Sequence, residues 1–283
     1  MIKLALTDLD DTLIHFGDPH ANQRSVDAIR EVIAAGVRFG PVTGRPPAYM
    51  GWMFGPGNED CWRTGAFANG QVIYLDGQLV HREELPHDAL QHLVDMAEET
   101  DDFCVAIYDL DREDGMHFVT AHPEVLRANP PATYRPESDI VPTLPDGPVV
   151  KANVQCACSR ERMAEMRDLV NARIPELSLV FPSMKATVID VSPAGWDKGS
   201  AVRVMAEAMG IGLDEVAVFG DSQNDLAMIQ SVPNSVAVSN ASPEVAAAAR
   251  WHIGACADDA VADALLDVAR AAGAGEMPAF MRG

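Results

Sequence analysis

The feature that most constrains the fold is an alternation of strand-like and helix-like segments that fills about the first eighty residues, breaks off, and resumes near Thr187. Residues 3–7 form a short apolar run that predicts a strand. Residues 25–35 carry apolar spacing suited to a helix, with Gly36 placed to end it. Residues 37–42 predict the next strand, and residues 71–75 and 78–81 flank Asp76-Gly77, a strong two-residue hairpin signal. After the break the same rhythm returns: a strand over 187–191, a helix over 198–209, strands over 216–219 and 235–238, a helix starting at Asn224, and alanine-rich helices to Ala272. The last ten residues are expected to be loose. Such alternation predicts an α/β fold, a Rossmann-like parallel sheet core with helices on both faces.

The interrupting stretch has a different character. Helical spacing over 85–99, strands over 103–108 and 116–120, a proline-rich stretch from Pro123 to Pro148 with little regular pattern, a strand over 149–157, a helix over 160–173 and a strand over 178–180 read as an inserted α+β unit. The expected organisation is therefore a core in two parts, residues 1–82 and 187–283, around an insert of residues 83–186. A chain of 283 residues, 48% of them hydrophobic, can bury cores for both.

Charge and composition exclude several functions. The net charge of −21 repels nucleic acid and anionic lipid, and no basic cluster reverses it locally. No apolar run reaches the roughly 18 residues of a membrane span. The first apolar residues are cut short by Asp8, Asp10 and Asp11 with no small-residue cleavage site after them, so a cytoplasmic protein is expected. Five scattered cysteines argue against a disulfide framework. Cys156 and Cys158 are expected on one face of a strand, as ordinary reduced thiols, and the eight histidines show no metal-ligand spacing.

Four polar groups each follow an apolar strand: Asp8-Leu9-Asp10-Asp11-Thr12, Thr43-Gly44-Arg45, Asp197-Lys198-Gly199, and Gly220-Asp221-Ser222-Gln223-Asn224-Asp225. Lys198 lies several residues past its strand. Ligands of open parallel sheets bind at the carboxyl ends of the strands, so the four groups should converge in one cleft. Asp8, Asp10 and Asp221 would repel one another there unless a hard divalent cation joined them, and oxygen ligands suit magnesium. Lys198 and Thr43 could hold phosphoryl oxygens, and phosphoryl transfer asks mainly for positioning and charge stabilisation. Residues two apart in an extended segment share a side, so Asp8 can face phosphorus while Asp10 reaches the leaving oxygen. One carboxylate then serves as nucleophile and the other as general acid and base, which requires Asp10 to carry a proton when substrate binds.

With these motifs in this order, the sequence resembles a haloacid dehalogenase superfamily phosphatase of the Cof-like, capped type. Asn69-Gly70 and Asn240-Ala241 also fit the pattern, and the likeness covers nearly the whole chain. The resemblance implies Asp8 as nucleophile and magnesium ligand, and Asp10 as acid/base with its backbone carbonyl on the metal. It implies Asp221 as the remaining protein ligand and Thr43 and Lys198 as phosphoryl-binding groups. Asp225 would orient Lys198 or a metal-bound water, with Asn224 in support. Gly44 and Arg45 belong to the candidate substrate-binding set, Arg45 either contacting substrate or bracing its loop. Asn240 is either a helix N-cap or a partner of the site. Position 11, often glycine in such proteins, is Asp11 here and is expected to point away from the metal. The insert would be a cap that selects substrate.

The leading expectation is a magnesium-dependent phosphatase acting on a small phosphorylated metabolite, such as a sugar phosphate, through an aspartyl-phosphate. The alternatives are a phosphotransferase or phosphomutase on the same scaffold and a non-catalytic module that binds a phosphorylated ligand. Neither nucleic acid nor membrane is an expected partner.

Overall fold

In the computed structural model, which describes residues 1–100, 102–183 and 185–282, the chain divides into two compact units. One comprises Met1–Arg82 with Asp197–Gly283, the other Glu83–Trp196.

The first unit is built on a five-stranded parallel sheet ordered Trp251–His252, Asn234–Ala237, Val216–Gly220, Leu4–Thr7, Arg38–Pro41. Leu4–Thr7 and Val216–Gly220 are buried along their whole length, as expected for central strands covered on both faces. The chain runs outward from Leu4–Thr7 to Arg38–Pro41 on one side, and later strands add on the other. The order therefore reverses between Leu4–Thr7 and Val216–Gly220, and crevices at carboxyl ends open at such a reversal. The helix Gln23–Ala34 packs on the helix Ala260–Ala274, and Lys198–Met209 packs on Leu226–Ser231. Asn22 caps the first of these helices by accepting from the Ser25 N–H (2.9 Å), and Gly36 leaves it at φ +84°. The predicted hairpin joins Val72–Leu75 to Gln78–Arg82, with both Asp76 and Gly77 at positive φ, as a type I′ turn demands.

Some expectations need correction. The strand predicted near residue 187 exists as Val188–Pro193, but it pairs antiparallel with Lys151–Cys156 and Leu177–Val180 in the second unit. The second crossing accordingly falls at Trp196/Asp197 rather than at Ala186/Thr187. The proline-rich stretch holds a helix, Pro123–Ala128, and a strand, Asp139–Val141. The tail is not loose: Met281 is buried, the Phe280 ring lies 6.4 Å from that of Phe219, and the Phe280 N–H donates to Asp267.

The second unit is a six-stranded sheet, antiparallel except for its last pair, ordered Leu177–Val180, Val188–Pro193, Lys151–Cys156, Phe103–Tyr108, Met116–Val119, Asp139–Val141. The helices His87–Glu98 and Arg160–Arg173 cover one face through Leu90, Leu93, Met163 and Val170 against Val105, Val154 and Ile189. The opposite face carries a smaller cluster around Phe118 and Leu126. Beside it runs a buried polar row in which Lys151 and Asn153 both donate to Asp190. Cys158 lies beyond the end of its strand, so it shares no strand face with Cys156, and all five cysteines are free. Among the described residues, no helix is long and apolar enough to cross a membrane.

Candidate active site

Three residues that are remote in sequence meet where the sheet order reverses. Asp8 directly follows Leu4–Thr7, and its N–H donates to the Phe219 carbonyl of the neighbouring strand (2.9 Å). Asp221 directly follows Val216–Gly220. Lys198 arrives by a different route, as the first residue of the helix Lys198–Met209, whose N-cap Asp197 accepts from the Ser200 N–H (2.7 Å). Gly199 lets that helix approach its neighbour, since a Cβ there would sit 2.8 Å from the Ala227 carbonyl oxygen.

The Lys198 ammonium is fully buried and donates to Asp8 Oδ1 and to Asp225 Oδ1, both at 2.6 Å. The other oxygen of Asp225 accepts the N–H groups of Asp221 and Ser222, each at 3.0 Å. Asp225 is thus committed on both oxygens, and it fixes the lysine and the loop of Asp221 together. Asp221 Oδ1 accepts from the Thr12 hydroxyl (2.8 Å). Thr12 stood in the first motif without a role. A hydroxyl four residues after Asp8, in the same loop, is the signal that could have marked it.

One carboxylate oxygen from each of Asp8, Asp221 and Asp225 falls within 4.8 Å of the others. Burial pushes the Asp8 carboxyl well above the ordinary carboxylate range, Lys198 pulls it down, and the Asp225, Asp221 and Asp10 carboxylates push it up again. Burial, and then Asp225, drive Asp221 up to about 7 against the Thr12 hydrogen bond and Lys198. At Lys198 burial disfavours the charged form, but Asp225 and Asp8 outweigh it and the net shift is upward. Three buried carboxylates around one ammonium leave the cluster short of positive charge. A hard divalent cation fits that deficit, and because Asp225 is committed, Asp8 and Asp221 are the side chains that could hold it.

Asp10 stands apart from this cluster. Its carboxylate accepts two hydrogen bonds from Arg45, Nε at 2.8 Å and Nη2 at 2.6 Å, with each side chain about one-third exposed. The structure therefore places Arg45 on Asp10, the partner that neither sequence alternative for Arg45 named. Thr43 is buried, its hydroxyl accepting from the Arg45 N–H (3.2 Å), and Gly44 lies in the bend between them. Asn224 links Ser222 to Asn69: its carbonyl accepts from the Ser222 hydroxyl (3.0 Å) and its amide donates to Asn69 Oδ1 (3.3 Å). Asp11 turns back on its own loop and accepts from the Phe16 N–H (2.8 Å). Its φ of +62° lies in the region that glycine adopts freely. Asn240 is not a helix cap, since Ser242 caps that helix. Instead it ties the Asp11 carbonyl to the Cys256 N–H.

A sequence-family model of haloacid dehalogenase-like hydrolases matches residues 5–265, a span that holds every residue of this cluster. The chain belongs to that family. This hydrolase is also 27% identical over 251 residues to an HMP-PP phosphatase of Escherichia coli, covering 87% of this chain and 88% of the relative. A Shigella boydii protein of the same name is matched at the same identity, with 92% of it covered. Among solved structures, SMU.1108c from Streptococcus mutans superposes with a TM-score of 0.78 at 19% identity, over 94% of this chain and 98% of that one. BT4131, described as a HAD subclass IIB sugar phosphatase, superposes at 0.73 and 20% identity, over 93% and 97%. These structural likenesses support the α/β core with its separate antiparallel sheet.

Proposed function

We propose that this hydrolase is a magnesium-dependent phosphatase acting on small phosphate monoesters through an aspartyl-phosphate on Asp8. The observation that carries the reading is the buried Lys198 held between Asp8 and Asp225, beside Asp221, where the sheet order reverses. In the first step an Asp8 oxygen bonds to phosphorus, the bond from phosphorus to the leaving oxygen breaks, and Asp10 gives that oxygen a proton. In the second, water attacks the aspartyl-phosphate, Asp10 takes its proton, and the bond from phosphorus to Asp8 breaks, releasing phosphate. An ammonium has three N–H donors; two are spent on Asp8 and Asp225, and the third is assigned to a phosphoryl oxygen together with the Thr43 hydroxyl. Magnesium held by Asp8 and Asp221 would offset the negative charge of an arriving phosphate.

Asp10 needs an oxygen open to the leaving group, and both of its oxygens now accept from Arg45. Arg45 is accordingly assigned an exchange of partners, from Asp10 to the phosphoryl group, as substrate enters. A guanidinium suits carboxylate and phosphate equally in shape. The unit Glu83–Trp196 is assigned the selection of substrate. The names of the enterobacterial relatives support a small phosphorylated metabolite, and five free thiols support work in the cytoplasm.

The test is phosphate release from a panel of sugar phosphates, nucleotides and cofactor phosphates, with magnesium and with chelator. The reading expects metal-dependent release, one phosphate per substrate consumed. Consumption without free phosphate would replace it with a phosphotransferase or phosphomutase. Binding without any turnover would replace it with a non-catalytic module.

A further inference from the structure

The short helix Met50–Phe54 follows the Thr43-Gly44-Arg45 loop, and three of its side chains, Met50, Met53 and Phe54, are fully buried. These three anchor it. Trp52 is the exception, a large apolar side chain left 49% exposed. Its position is not arbitrary: the Arg45 guanidinium lies 5.9 Å from the centre of its ring, and the same guanidinium holds both oxygens of Asp10. The ring is therefore one contact removed from the group assigned to the leaving oxygen. A second exposed aromatic, Phe16 (54%), comes from the loop that follows Asp10. That loop is joined to the helix of Trp52 by a hydrogen bond from the Ala21 N–H to the Met53 carbonyl (2.8 Å).

We infer that Trp52, with Arg45 beside it and Phe16 on the neighbouring loop, is a stacking surface that selects phosphate esters whose leaving group carries a planar ring. This inference rests on the phosphatase reading and narrows its substrate class. The group on the leaving oxygen is assigned the space beside the guanidinium and the indole, because Asp10 must reach that oxygen and Arg45 contacts both Asp10 and the Trp52 ring. A flat ring gains there from both, by π-stacking on Trp52 and by cation–π or stacking contact with the guanidinium. A flexible polyol of similar size gains little from either. The indole N–H is not needed for this, so phenylalanine should substitute in part.

The test compares benzyl phosphate with glycerol 3-phosphate, two monoesters with alkyl leaving oxygens that differ in the ring. For each of wild type, Trp52→Ala and Trp52→Phe, kcat/KM is measured for both esters, and thermal melts confirm folding. The wild type should prefer benzyl phosphate. Trp52→Ala should lower the benzyl-to-glycerol ratio of kcat/KM by about 10- to 100-fold, the range of alanine substitutions at ring-stacking sites, while Trp52→Phe keeps most of the ratio. A ratio unchanged in Trp52→Ala would overturn the inference and leave Trp52 as a brace for Arg45, even if both rates fell together. No phosphate from benzyl phosphate in the wild type would overturn the inference, while the phosphatase reading stands or falls separately on the wider substrate panel.

Discussion

Replacing Lys198 by methionine removes one charge and keeps the length of the side chain. The ammonium is fully buried and lies 2.6 Å from both Asp8 and Asp225. Removing one member of a buried ion pair typically costs about 3–5 kcal/mol, because the remaining charge is left without water or partner. The unit concerned has roughly 170 residues, and domains of that size lose about 2–4 °C per kcal/mol. The melting temperature of this unit should therefore fall by roughly 6–20 °C at pH 7 in chelator. The pH dependence has a definite sign. Asp8 and Asp221 already lie above the ordinary carboxylate value, Asp221 at about 7, and loss of the lysine raises both further. The folded variant then binds protons that the unfolded chain, titrating near 4, does not. Its deficit relative to wild type is small near pH 4 and grows as pH rises toward 7. Calorimetry of both proteins at pH 5 and pH 7 measures this, with circular dichroism as the check on folding, and turnover should drop by about 10²–10³-fold. A melting temperature unchanged at pH 7 would show that the lysine does not neutralise the carboxylates and would refute the electrostatic account of the site.

Three further changes read out other parts of the same network. In Gly220→Ala the new Cβ would lie 2.7 Å from Asp225 Cβ and 2.8 Å from its Cγ. Asp225 must move off Lys198, and kcat should fall by about 10²-fold, as misplacements near 1 Å do elsewhere; steady-state kinetics with a melt for folding decides it. Magnesium at a hundred times its dissociation constant should stabilise the chain by about 2.7 kcal/mol. At one fixed magnesium concentration the rise in melting temperature should be larger at pH 8 than at pH 5, because Asp221, at about 7, must lose its proton to bind and the dissociation constant is therefore higher at pH 5; a thermal-shift titration at both values checks this. Burial pushes the thiols of Cys61, Cys104 and Cys256 up to about 12. Unfolded thiols ionise near 9, so their contribution to stability is intact below that value and fades as pH rises toward 12, and iodoacetamide at pH 8 should label these three only after denaturation.

The parallel core was legible because its central strands are continuous apolar runs ending in polar clusters, and that pattern requires burial on both faces. The hairpin was legible because Asp76-Gly77 satisfies two positive φ angles at once. The strand expected over 187–191 in the core lies instead in the other sheet, as Val188–Pro193, because an apolar run states that a strand is buried, not which strand it pairs with. Pro123–Ala128 is not legible from spacing, because six residues in a proline-rich stretch show no helical period, although proline at the first helical position fits a helix start. In the site, Asp8, Lys198, Asp221 and Asp225 meet as their places at strand and helix ends implied. The Arg45–Asp10 pair was not legible. Both residues were singled out, but contact between side chains thirty-five positions apart depends on rotamers that no spacing encodes. The tail failed for a simpler reason: a segment poor in pattern can still bury single residues, as Met281 does.

The central claim is that phosphorus is transferred to Asp8. Protein mixed with acetyl phosphate and magnesium, quenched in acid and digested, should carry phosphate on the peptide containing Asp8, and Asp8→Asn should carry none and turn over nothing while melting as a folded protein. Phosphate on a different residue, or continued turnover by Asp8→Asn, would contradict the account.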